Sequence, residues 1–435
     1  MTLNEAFDNE MGHGGKTLVR RLAEAGFAAY FVGGCVRDAL LGRPIKDIDI
    51  ATSARPEDVM ALFPQAVPTG LQHGTVTIPL DGFPYEVTTF RAESDYSDGR
   101  RPDAVRFIDD VEGDLERRDF TVNAMALASD GNLVDPFGGR ADLERRLLRA
   151  VGSPAERFRE DALRMLRCVR FAAEYGFDVD EPTWAEVRLG APGLGAIAME
   201  RVFAELEKMI GGAAPERAIA LLAESELLRW TKQRLRLPRS LGLDAPDDPL
   251  ARLRQVPDPL ARWAFWFACM DLDEGEARQA CKALKTSNGF ADAMERQIKL
   301  FAALRRAPDD FAREAWIVGA LRHGADEARR FLALAAVYAE KPHYAWMRAY
   351  ATEGAAWLRS MPVASLKELA VTGSDVLAVA SGRKGGPWLS GLLDRLLTET
   401  ALGKLPNERG ALLERAAAWL EREQQSEGDE SADER

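Results

Sequence analysis

The chain has 435 residues, 46% of them hydrophobic and 29% charged, and a formal net charge of −12. That length exceeds what one core usually serves, so several domains are expected, and the composition is that of an ordinary globular chain. Four scattered cysteines with no CxxC argue against a zinc site or disulfide framework, residues 1–15 lack the apolar core of a secretory signal, and no apolar run could span a bilayer, so a cytoplasmic location and no membrane partner are expected.

Helical spacing predicts a first helix over 15–25. An apolar strand over 29–32 then runs into Gly33-Gly34, a short helical stretch carries Arg37 and Asp38, and a second strand over 47–51 carries Asp47 and Asp49. Side chains two apart on a strand share a face, so both carboxylates aim at the point where the glycine turn leaves the first strand. Gly33 and Gly34 lack a Cβ, which lets a backbone N–H approach a phosphate closely. Paired hard oxygens suit Mg²⁺ held beside substrate phosphates. The arrangement reads as a two-metal nucleotidyl-transfer site.

A helix is expected over 55–62, followed by strands over 75–80 and 85–90. The second strand carries Glu86, which is either an edge charge or a third carboxylate beside Asp47 and Asp49. A polar stretch of weak periodicity fills 91–113, and a loop of that length in a compact domain is usually functional or disordered. The run Arg117-Arg-Asp-Phe-Thr-Val-Asn-Ala-Met-Ala126 is expected inside a helix over 115–127. Arg118 can offer a two-pronged fork to triphosphate or ribose oxygens, and Asp119 and Asn123, four apart, would be helical neighbours able to hold Arg118 or the ribose. A short strand over 133–134 leads into Asp135-Pro-Phe-Gly-Gly139, read as a structural turn.

Beyond residue 151 strand signals disappear, and Leu, Ala, Arg and Glu dominate at helical spacing. Within 156–170, Ala162, Met165, Leu166 and Val169 form an amphipathic packing face that Ala173 extends, while Asp161, Arg164, Arg167 and Arg170 recur every third residue as a polar ridge. Arg229, Lys232, Arg234, Arg236 and Arg239 make an acid-free cluster, either a solvated loop face or a phosphate-contacting patch. Seven acids and two bases between 421 and 435 account for −5 of the net charge in a segment expected to be disordered.

In order and spacing these segments resemble the class II tRNA nucleotidyltransferases and bacterial poly(A) polymerases, a branch of the DNA polymerase β nucleotidyltransferase superfamily. The similarity runs over about residues 28–419 and is greatest to the bacterial CCA-adding enzymes. Phe31 to Ala51 is similar to motif A of that family, Arg117 to Ala126 to motif B, and Glu160-Asp161-x-x-Arg164 to its base-reading motif. The resemblance implies an α+β protein, with a polymerase β-like catalytic head over 1–149 followed by an all-helical neck of base-recognition helices over 150–211. A helical RNA-binding body over 212–320, a tRNA-binding tail over 321–420 and the acidic end over 421–435 complete the expected layout. The family also favours Glu86 as a third catalytic carboxylate and places Arg167 and Arg170 toward the triphosphate or the RNA end. It gives the 91–113 stretch the part of a flexible loop used in the switch to A addition.

Base chemistry explains the Asp161/Arg164 pair. Cytosine and adenine each present an exocyclic amine beside a ring-nitrogen acceptor; an ionised Asp accepts from the first and an Arg donates to the second. Uracil and guanine reverse both contacts, and each buried mismatch costs about 1–3 kcal/mol. The implied activity is template-independent addition of CCA to a tRNA 3′ end from CTP and ATP, with Mg²⁺ on Asp47 and Asp49 and the triphosphate on Gly33, Gly34, Arg37 and Arg118. An A-adding enzyme, a bacterial poly(A) polymerase and a non-catalytic RNA-binding protein on a degenerate transferase scaffold are the alternatives. Whether the assembly is a homodimer is left open.

Overall fold

Residues 29–134 supply short apolar and β-branched runs separated by glycine and proline, and in the computed structural model these become strands. The structure describes residues 3–94, 104–235, 248–380 and 383–433. They form two compact units, Met1–Ala251 with Ala283–Lys285, and Arg252–Lys282 with Thr286–Arg435.

The first unit begins with helices α1 (Leu3–Ala6) and α2 (Glu10–Glu24), then β1 (Ala29–Val32), α3 (Gly34–Leu40), β2 (Asp49–Thr52) and α4 (Pro56–Leu62). Strands β3 (Val67–Gly70), β4 (Thr75–Leu80) and β5 (Phe83–Thr89) follow, and β6 (Arg91–Ser94) pairs antiparallel with β7 (Ala104–Phe107). After α5 (Val111–Glu116) come β8 (Ala126–Leu127) and β9 (Leu133–Val134). One seven-stranded sheet has the order β3-β4-β5-β2-β1-β8-β9. Its centre sets the site: β1 is antiparallel to β2 with Val32 opposite Asp49, and β2 is parallel to β5 with Asp49 opposite Glu86.

Burial of apolar side chains on both faces holds the sheet. Val32, Ala51, Phe90, Leu115 and Ala126 pack on one side. Leu18, Val19 and Leu22 of α2 are buried, Phe7 stacks on Phe31 at 4.6 Å, and the Tyr85 hydroxyl donates to the Met11 carbonyl at 2.7 Å. The Asp135 turn is structural as expected, with the carboxylate accepting from the N–H groups of Gly139 at 2.7 Å and Arg140 at 2.9 Å.

The remaining elements of the first unit are helical apart from two-residue β10 (Leu147–Leu148) and β11 (Asp178–Val179), which pair in parallel. The helices are α6 (Gly139–Arg145), α7 (Pro154–Glu160), α8 (Leu163–Tyr175), α9 (Glu181–Leu189), α10 (Met199–Gly211) and α11 (Pro215–Ser225). Among the described residues of the second unit all the regular elements are helices. In one of its clusters Trp316, Phe331 and Tyr350 pack together, and the Trp316 indole N–H donates to the Gly354 carbonyl at 2.8 Å.

Several expectations change here. No helix spans 115–127: α5 ends at Glu116, a 3₁₀ turn covers Thr121–Asn123 and β8 begins at Ala126. The Asp119 carboxylate accepts the N–H of Phe120 at 2.8 Å, a local bond that competes with helix continuation. The expected single helix over 156–170 is two, broken at Asp161, whose backbone is extended (φ −145°, ψ 101°). Strands β3, β6, β7, β8, β10 and β11 were not expected, and β11 interrupts the stretch over 150–211 expected to be all-helical. The 91–113 stretch is framed by the β6–β7 pair and α5, while its middle, including Arg100 and Arg101, lies outside the described residues, as do Arg236 and Arg239. The backbone of the acidic end, expected to be disordered, continues a helix over Arg409–Asp433. Among the described residues no helix is long and apolar enough to cross a membrane.

Candidate active site

A cavity of about 520 Å³ opens in the first unit where β1 ends. Gly33 makes the turn from β1 into α3 at φ +72°, a left-handed backbone that glycine adopts without steric cost. A Cβ at Gly33 would stand 2.8 Å from Nη1 of Arg118, so the missing side chain also lets that guanidinium lie against the turn. Gly33, Gly34, Arg37, Asp47 and Asp49 line one side of the cavity. Asp47 lies just before β2 rather than within it, yet exposed Asp47, buried Ile48 and half-buried Asp49 keep strand alternation, and both carboxylates reach the cavity.

Burial, then the charges of Asp47 and Glu86, push the Asp49 carboxyl up to about 6 against the pull of Arg118. Glu86 is exposed and does not line the cavity, although its Cα faces that of Asp49. Among the described residues no group of three His, Cys, Asp or Glu side chains is placed to hold a metal ion together. Two strands present Asp49 and Glu86 side by side, but only the loop-borne Asp47 joins Asp49 at the cavity.

Around the carboxylates stands a framework of arginines. Buried Asp114, missed in the sequence, accepts from Nε and Nη2 of Arg117 at 3.0 and 2.8 Å and from Nη2 of Arg118 at 3.4 Å. Nε of Arg118 is buried with no hydrogen-bond partner, an unspent donor beside the cavity. Asp119 and Asn123 meet as expected but through a turn: the Asn123 amide donates to Asp119 at 2.9 Å and accepts from Nη1 of Arg37 at 2.6 Å. Nε and Nη2 of Arg37 grip Asp38 at 3.0 and 3.1 Å, and its guanidinium lies 4.5 Å from the Tyr175 ring centre. Nε of Arg167, from α8, donates to Asp119 at 2.8 Å. Burial alone would raise Asp119, but Arg167, Asn123 and Arg164 outweigh it and hold the carboxyl down at about 2.

The far wall is built by the break between α7 and α8. Asp161 ends α7 two residues ahead of α8, its Oδ1 accepting the Leu163 N–H at 3.1 Å. The Arg164 guanidinium bonds Glu160, and donates to the carbonyls of Arg157 at 3.1 Å and Arg117 at 2.9 Å. Arg201 of α10 donates to both oxygens of Asp161, at 3.2 and 2.7 Å. Asp161, Arg164, Arg167, Phe171 and Arg201 all line the cavity with Arg117, Arg118, Asp119 and Asn123. Arg170 does not: it turns inward, donating to Glu205 at 2.6 Å and to Glu174 at 3.2 Å, with its guanidinium 4.0 Å from the Phe171 ring centre. The every-third-residue ridge fails at that end because three-residue steps drift around a helix of 3.6 residues per turn.

Residues 29–149 match a family model described as the poly A polymerase head domain. Residues 176–231 match a probable RNA and SrmB-binding site of polymerase A, and 255–416 a putative tRNA nucleotidyltransferase domain 2. The head and its carboxylate-lined cavity are therefore those of a polymerase-type nucleotidyltransferase. The chain is 40% identical to the CCA-adding enzyme of Geobacillus stearothermophilus over 405 residues, 93% of this chain and 95% of that one. It is 39% identical to the CCA-adding enzyme of Limosilactobacillus fermentum over 410 residues, 93% and 96% of the two chains. The crystal structure of the Bacillus stearothermophilus CCA-adding enzyme in complex with CTP superposes with a TM-score of 0.78 at 36% identity, covering 97% of this chain and all of that one. The chain belongs to the CCA-adding enzymes, a family of nucleotidyltransferases.

Proposed function

We propose that this enzyme adds CCA stepwise to the 3′ end of tRNA from CTP and ATP, releasing pyrophosphate. The observation that carries the reading is one cavity in which the Gly33-Gly34 turn, the Asp47/Asp49 carboxylates and the Asp161/Arg164 pair face a common space. A nucleoside triphosphate needs each of these: close backbone and cations for phosphate, carboxylates for metal, and a donor–acceptor pair for the base. An RNA-binding protein on a degenerate scaffold needs no such combination.

The family implies a divalent metal, and the residues fit one. Asp47 and Asp49 are hard oxygen donors at the cavity, and the mutual repulsion felt by Asp49 is a negative field that a cation relieves. Mg²⁺ is the ion proposed, held by these two carboxylates, with Glu86 adding charge from beside Asp49. When bound, such ions neutralise triphosphate charge and lower the pKa of an attacking hydroxyl. The Arg118 guanidinium lines the cavity with only long bonds from Nη1 and Nη2, at 3.5 and 3.4 Å, and is a donor for a phosphate oxygen, and Gly33 and Gly34 admit the triphosphate against the backbone. Arg37, Asn123, Asp119 and Arg167 act as the frame behind these groups, because their hydrogen bonds are already spent on one another. Arg170 is assigned to packing in this reading.

Asp161 and Arg164 select cytosine and adenine over uracil and guanine through the donor–acceptor pattern of the base edge. The test supplies CTP, ATP or both to tRNA lacking CCA and to tRNA ending in CC. Expected are C incorporation on the first and A incorporation on the second. Absence of C incorporation with A addition intact would make the enzyme A-adding, and long A tracts on unrelated RNA would make it a poly(A) polymerase.

A further inference from the structure

Arg201 lies 40 residues beyond Asp161 on a different helix, and nothing in its local sequence marks it out. Its side chain is 23% exposed, that of Asp161 16%, and the two form a forked, two-bond ion pair at the cavity wall. A carboxylate offers about four acceptor positions, two on each oxygen. On Asp161 the first oxygen spends both, one on the Leu163 N–H at 3.1 Å and one on Nη1 of Arg201 at 3.2 Å. The second oxygen spends one, on Nη2 of Arg201 at 2.7 Å. A single acceptor position remains, on the second oxygen.

We infer that Arg201 is a specificity-determining positioning residue: by fixing the Asp161 carboxylate in a fork it leaves one oriented acceptor, which takes one exocyclic amine hydrogen of cytosine or adenine. This rests on the proposal that Asp161 reads the base. A lone carboxylate can rotate about its last torsion, and its remaining oxygens could then accept from donors placed elsewhere on a wrong base. The planar guanidinium removes that freedom with two parallel bonds, which a lysine ammonium cannot reproduce. Arg164 is pinned in the same manner by Glu160 and two carbonyls. Both halves of the reader are thus set before a nucleotide arrives, and preorganised groups lose less entropy on binding.

The test compares CTP with the pyrimidinone ribonucleoside triphosphate that lacks the 4-amino group, using primer tRNA lacking CCA. The ratio of kcat/KM for the two nucleotides reads the amine contact alone. In Arg201→Gln the ratio should fall about tenfold, the worth of one well-oriented hydrogen bond, while the rate with the nucleotide lacking the 4-amino group changes little. Asp161→Ala should abolish the preference, and the double variant should lose no more than Asp161→Ala. If Arg201→Gln does not fold, Arg201→Lys keeps the stem and charge without the fork and should also lower the ratio. A general structural role would depress both nucleotides together and leave the ratio unchanged, which overturns the inference provided Asp161→Ala still collapses it. An unchanged ratio in Asp161→Ala as well would instead overturn the base-reading role of Asp161, and the inference with it.

Discussion

Two aspartates that line the cavity, half-buried Asp49 and buried Asp119, have neighbours of opposite charge. Asp49 sits beside Asp47 and Glu86, and its carboxyl is pushed up to about 6. Asp119 sits among Arg167, Asn123 and Arg164, and its carboxyl is held down at about 2. Burial raises both, so the neighbours decide the sign. One wall keeps charge that only an incoming cation can balance; the other has already balanced its own.

The comparison breaks most visibly in activity. Asp47→Ala or Asp49→Ala should remove nucleotide incorporation, C and A alike, by on the order of a thousandfold or more, measured in single-turnover extension of tRNA. Unfolding transitions should stay cooperative in both variants; turnover within tenfold of the parent would place the metal ligands elsewhere. Next in size is stability on the other wall. Asp119→Ala strands the Arg167 guanidinium, which costs about 3 kcal/mol in urea unfolding at neutral pH. Because the folded value of Asp119 lies below the unfolded one, its contribution is complete above pH 4 or so and is lost as pH falls toward 2. That loss amounts to about 2 kcal/mol, and the parent's acid transition should shift accordingly, whereas the variant lacks this component.

Gly33→Ala should destabilise by roughly 1–2 kcal/mol, since an L side chain at φ +72° is strained, and should raise KM for the nucleotide by displacing Arg118. Thermal melting and steady-state kinetics read the two effects separately. The smallest effect has the opposite sign. Asp49→Asn, compared with the parent in the presence of a chelator, should gain on the order of 1 kcal/mol at neutral pH. The folded value of Asp49 lies above the unfolded one, so ionising it costs stability as pH rises from about 4 through 6, and the amide escapes that cost. A chelated Asp49→Asn protein less stable than its parent would remove the contrast between the walls.

What could be read from the chain depends on how local the cause is. The strand over 29–32 and the Gly33-Gly34 turn are legible because periodicity and backbone freedom are properties of adjacent residues. The shared face of Asp47 and Asp49 also survives, although β2 starts only at Asp49, because extended alternation continues outside the paired strand. The helix over 115–127 fails because Leu115, Val122 and Met125 mimic helical spacing while burying their side chains through tertiary packing. Asp119 and Asn123 then meet through a turn instead of a helical face. The break at Asp161 is hidden by continuous spacing on both sides of it, although Asp is a residue type that starts helices. Asp114 and Arg201 leave no local trace, since their importance lies in partners that only the fold supplies.

The bonds from Asp38 to Arg37, Asn123, Asp119 and Arg167 link three separate stretches of chain by alternating complementary groups. For anyone building chimeras of related enzymes, they define the smallest exchangeable part. A transplanted α8 brings Arg167 but not the acid that receives it; a transplanted glycine turn brings Arg37 but not its amide. The first graft would leave a buried ion without a counterpart and the second a buried donor without its acceptor, so parts that look separable along the chain must be moved together or not at all.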